Sequence, residues 1–155
     1  YRSDNVFNTE STYDANTQNT ELFNIAKDFE KRLKRAQATA TTPAAWMKKR
    51  MDEEHWYEST FEDRTGLDKM NYSRVQGGVH NFTLRPLVAM GVGLGLDLSE
   101  MEEVLRLGGM SFKPGDKEQE AYKFLFTAFY GKDIDTCNDF LKEVNVTPLG
   151  TQQKL

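Results

Sequence analysis

The sequence predicts an all-α protein, and three observations carry that prediction. Apolar residues recur at three- and four-residue intervals along most of the chain, as in Leu22, Phe23, Ile25, Ala26, Phe29 and Leu33. Helix-start residues stand ahead of these runs, and glycines stand after them. No segment alternates apolar and polar residues as a half-buried strand does, and no internal repeat is seen.

The elements follow in order. Residues 1–16, YRSDNVFNTESTYDAN, are polar and without period, and a flexible arm is expected over 1–19. An amphipathic helix is expected over 20–37, with a linker to 42. Acids (Glu21, Asp28, Glu30) precede bases (Lys31, Arg32, Lys34, Arg35) along it, an order that suits the helix dipole. Thr42 followed by Pro43 is a hydroxyl cap with proline in the first turn, opening a helix to about Glu54. YESTFEDRTG makes a short helix that Gly66 stops, because a left-handed residue there is cheap only for glycine. DKMNYSRVQGG makes another, capped by Asp68 and ended by Gly77 and Gly78.

The fourth helix after Thr42 starts at Thr83 and tolerates Pro86 in its first turn. Ser99, with Glu102 three residues on, reads as a capping box for the next. Asp116 caps KEQEAYKFLFTAFYG, and Asp133 or Asp135 opens DIDTCNDFLKEV. Residues 151–155 are left as a tail.

Composition excludes several classes. The single cysteine, Cys137, permits no intramolecular disulfide, fits a reducing compartment, and supplies no metal cluster. His55 and His80 lack partners at ligand spacing, so neither a metal nor another cofactor is expected. The apolar run around Val88–Leu98 is too short and glycine-interrupted to span a membrane, so a cytoplasmic protein without membrane contact is expected. GVGLG at 91–95 has no preceding strand and no GK[ST], so close helix packing accounts for it better than phosphate binding. The acidic runs at 52–54 and 100–103 come with no nucleophile, and no catalytic residue is assigned. The first residue is Tyr1 rather than Met, so the chain reads as part of a longer protein.

Residues 58–77 read as two helices around a tight turn, with Phe61, Leu67, Tyr72 and Val75 pointing inward and an apolar helix on either side. From about Pro43 to Met110 this pattern resembles the Cro/phage-repressor (Xre-like) helix-turn-helix family. Gly66, Leu67, Tyr72, Val75, Gly78, Leu84, Leu87, Val88 and Leu94 fill the family's places. The segment AYKFLFTAFYGKDIDTCNDFLKEVNVTPLG is similar, more weakly, to an extension found on helix-turn-helix proteins of Gram-positive gut bacteria. The resemblance implies a five-helix domain over 43–112, extended by a helical pair over 113–150.

It also implies a bacterial transcriptional regulator that binds double-stranded DNA as a homodimer, with the helix 68–77 in the major groove. Asp68, Lys69, Met70, Ser73 and Arg74 would then contact bases. Ser59 and Thr60, at a helix N-terminus, and Lys48, Lys49 and Arg50 would contact phosphates. The C-terminal helices or the helix 20–37 would form the dimer or regulatory surface.

Two positions depart from the family pattern. Glu58 replaces a common Gln that faces phosphate, and Glu62 replaces a small residue where the two helices pack. The chain carries a net charge of −4, and residues 46–112 hold 8 Lys/Arg against 11 Asp/Glu. Phosphate neutralisation dominates DNA affinity. The alternative expectation is therefore a degenerate helix-turn-helix that serves as a protein–protein interaction module, with a protein partner instead of DNA.

Overall fold

Eight helices and no strand make up the described residues of this computed structural model, which are 15–39, 41–79 and 81–151. The all-α class is as the sequence predicts. The helices are α1 (Ala15–Thr39), α2 (Pro43–Glu53), α3 (Glu58–Thr65), α4 (Lys69–Gln76), α5 (Leu84–Leu94), α6 (Leu98–Leu107), α7 (Lys117–Leu125) and α8 (Ile134–Glu143). The chain up to Ala40 and the chain from Thr41 onward form two separate compact units.

The first unit contains α1. It begins at Ala15, so residues 15–19, expected in the arm, are helical; the rest of that arm lies outside the described residues. Leu22, Phe23, Ile25 and Phe29 are exposed along the helix.

In the second unit the local cap chemistry largely follows the sequence. The Thr42 hydroxyl accepts the Ala45 N–H at 3.1 Å, with Pro43 in the first turn. Asp68, Asp116 and Asp133 accept the N–H three residues on, opening α4, α7 and α8. Three details differ. Thr83 precedes α5, but its side chain makes no capping bond. The box that opens α6 is Asp97 with Glu100, not Ser99 with Glu102: Asp97 accepts the Glu100 N–H at 2.8 Å and Glu100 accepts the Asp97 N–H at 3.2 Å. The left-handed Gly95 ends α5 only two residues earlier, so the next helix starts at once. Finally, α7 stops at Leu125 and turns follow to Gly131, where the sequence reads as continuous helix.

One apolar core serves all of α2–α8. Met47, Met51, Phe61, Val75, Leu87, Val88, Met101 and Leu105 share it with Tyr122, Leu125, Cys137 and Leu141. The C-terminal helices are therefore part of the same packed unit, where the sequence reads as a domain with an appended extension. GVGLG is packing, as expected. A Cβ on Gly93 would lie 2.9 Å from the Arg64 carbonyl oxygen, and one on Gly91 would run into Met101 and Phe126. Without those side chains α3 and α6, with Phe126 just past α7, approach α5 closely. Such contacts keep the interior near crystal density.

Candidate nucleic-acid interface

The pair α3–α4 is joined at Gly66, Leu67 and Asp68. Gly66 takes φ 72°, and its N–H donates to the Glu62 carbonyl, closing α3. Thr65 holds the turn from inside. Fully buried, its hydroxyl donates to the Phe61 carbonyl at 2.7 Å and accepts the Leu67 N–H at 3.0 Å. Phe61 meets Tyr72 at 5.2 Å between ring centroids, so the bulky Tyr72 is seated against α3. Glu62 is half-buried and the two helices still pack.

A third segment, absent from the sequence reading, completes the turn. Residues 146–151 run back from α8 across it. Asn138 brackets Leu149, donating to its carbonyl at 3.1 Å and accepting its N–H at 2.8 Å. The Arg85 guanidinium donates to the Pro148 carbonyl. The Thr151 N–H donates to the Gly66 carbonyl at 3.0 Å, and the Asp68 N–H donates to the Thr151 hydroxyl at 2.9 Å. Thr151, expected in a tail, belongs to this strap. Asn138 and the PLG triplet at 148–150 were the only signals for it, and nothing local names their partners.

The residues expected to contact bases divide into two groups. Lys69, Met70 and Ser73 are exposed on one face of α4. Arg74 is half-buried with its guanidinium stacked on Phe82, 4.5 Å from the ring centroid. Stacking fixes the plane of that group and leaves its edge N–H donors free for a bidentate acceptor. Asp68 is different. Its carboxylate Oδ1 accepts both the backbone N–H and the side-chain amide of Asn71, at 3.1 and 3.0 Å, so it serves as the cap of α4.

The expected phosphate contacts divide likewise. Ser59 is exposed in the first turn of α3, beside exposed Glu58, and Lys49 is exposed on α2. Thr60 instead accepts the Tyr57 N–H at 3.2 Å as part of the α3 cap. Lys48 pairs with Asp52 at 2.8 Å. Arg50 lies over Trp46 and pairs with Glu100 of α6 at 2.8 Å, bracing α2 to α6. That hydrogen bond with Arg50 holds the Glu100 carboxyl below its ordinary range. Lys48 meets a partner one helical turn on, whereas Arg50 takes one that only tertiary packing supplies and sequence spacing does not reveal.

No helix of the described residues is long and apolar enough to cross a membrane. Comparison with protein-family models, with curated proteins and with solved structures gives no match to this chain.

Proposed function

We propose that the chain is a DNA-binding transcriptional regulator of bacterial type, cytoplasmic and dimeric, that presents α4 to the major groove. The observation that carries this reading is the outer face of α4. Lys69, Met70 and Ser73 are exposed together there, and Arg74 lies beside them, stacked on Phe82. Lysine and a planar arginine suit guanine edges, serine suits several bases, and methionine suits a thymine methyl. The short turn at Gly66, held by Thr65 from within and by the strap from without, gives α4 a defined pose for such contacts. Ser59 and Lys49 remain as the phosphate contacts.

A second reading is favoured by a different observation. Glu58 and Asp63 are exposed on α3, and residues 46–112 carry more acids than bases. On this reading the same α3–α4 surface binds a protein.

A salt titration with random duplexes of about 30 base pairs, followed by fluorescence anisotropy, tests the choice. The DNA reading expects micromolar binding that weakens steeply with salt. No binding at low salt overturns it for this chain.

A further inference from the structure

A 25-residue helix that leaves Leu22, Phe23, Ile25 and Phe29 exposed is an incomplete structure. Helices in water draw most of their stability from burying such a face. Something must cover it.

The charges on α1 indicate what. Residues 21–30 hold Glu21, Asp28 and Glu30 against Lys27, a net −2, and residues 31–35 hold Lys31, Arg32, Lys34 and Arg35, a net +4. The helix dipole does not account for this separation. α1 begins at Ala15 and ends at Thr39, with no acid in its first turn and no base in its last, and dipole effects fade beyond the terminal turns. Contacts within the helix use part of the charge: Arg32 pairs with Asp28 at 2.8 Å, and Lys27 sits over Phe23.

We infer that α1 pairs antiparallel with α1 of a second copy of this chain. That orientation lays each acidic half on a basic half, whereas a parallel pair would lay the two +4 segments side by side. The seam agrees. Leu22, Ala26, Phe29 and Leu33 are separated by four, three and four residues, so the stripe reads alike in both directions. Antiparallel pairing sets Leu22 against Leu33 and the small Ala26 against the large Phe29. Parallel pairing sets Phe29 on Phe29 and Ala26 on Ala26, with a clash at one level and a gap at the next. A two-fold pair of this kind is the commonest form of self-association. The inference does not rest on DNA binding, and either can fail without the other.

Two variants of the full chain test it, Leu22→Cys and Leu33→Cys. Leu22 is exposed and Leu33 half-buried on a helix outside the core of α2–α8, so the fold tolerates both substitutions. The native thiol, Cys137, is buried and pushed up to about 11 by that burial, and does not compete. Each variant is oxidised alone, and then an equimolar mixture of the two is oxidised. The expected result is no covalent dimer from either variant alone and a covalent dimer from the mixture. Cross-linking of each variant with itself overturns the orientation in favour of a parallel pair. No covalent dimer from any sample overturns the pairing, and the face is then covered by the rest of the chain or by another protein.

Discussion

The backbone N–H of Asp68 donates to the hydroxyl of Thr151 at 2.9 Å, joining the cap of α4 to a residue 83 positions later. Beside it the Thr151 N–H donates to the Gly66 carbonyl. The orientation of α4 relative to α3 thus depends on the end of the described chain as well as on the turn itself.

The strap is the first place to perturb. Gly150 has φ 101°, and a Cβ there would lie 2.7 Å from the Gly66 carbonyl oxygen. Gly150→Ala therefore combines backbone strain with a clash against backbone, and a loss of about 1–3 kcal/mol is expected. Hydrogen exchange checks the location: protection of the α4 amides should fall more than that of α5. Unchanged unfolding and unchanged α4 protection would mean that the strap does not brace the turn.

The Arg50–Glu100 pair predicts a pH dependence. The folded-state value of Glu100 lies below the ordinary 4.5, chiefly because Arg50 donates to the carboxylate. An acid depressed in the folded state contributes stability that is full above the unfolded value and is lost as pH falls through the folded one. Both side chains are about one-third exposed, so the contribution is expected to be under ~1 kcal/mol. Urea unfolding at pH 7 and near pH 3 should show a smaller pH-dependent loss for Glu100→Gln than for the native chain. Equal losses would remove the pair as a source of acid sensitivity.

Tyr122 predicts a substitution without cost. Its side chain is fully buried, and its hydroxyl makes no well-formed hydrogen bond among the described residues, although the Glu118 carboxylate stands near enough to interact with it. Burial pushes the phenol up to about 12, with Glu118 and Asp116 adding to the rise and Arg85 opposing it. Tyr122→Phe removes a poorly matched polar atom and keeps the ring, so stability should hold or rise by up to ~1 kcal/mol. A loss larger than that in chemical denaturation would show that the hydroxyl is bonded in solution.

On the DNA reading, Lys69 and Arg74 should behave differently. Lys69 is exposed, so Lys69→Ala should weaken binding without changing the unfolding midpoint. Arg74 also covers Phe82, so Arg74→Ala should weaken binding and cost about 0.5–1 kcal/mol of stability. Anisotropy titrations beside thermal unfolding separate the two effects. Full binding by the double variant would reject α4 as the reading helix.

Features that depend on neighbours three or four residues away were determined by the sequence itself. The caps at Thr42, Asp68 and Asp116 and the stop at Gly66 are of this kind, because a cap is one side chain reaching one nearby N–H. Even there the local rule can be degenerate. DLSE and SEME both satisfy the capping box at overlapping positions, and the position of Gly95 selected the first.

The division of labour among the candidate contacts was decided only by tertiary structure. Arg50, Arg74 and Lys69 are alike in sequence as cations on short helices. Packing gave Arg50 the carboxylate of Glu100, gave Arg74 the ring of Phe82, and left Lys69 in water. The strap shows the same limit, since Asn138, Arg85 and Thr151 find partners 11, 63 and 83 positions away. Side-chain pairing at such separations is a property of which surfaces the core brings together. Helical periodicity specifies that each helix has an apolar face, but not which polar groups meet once those faces are buried.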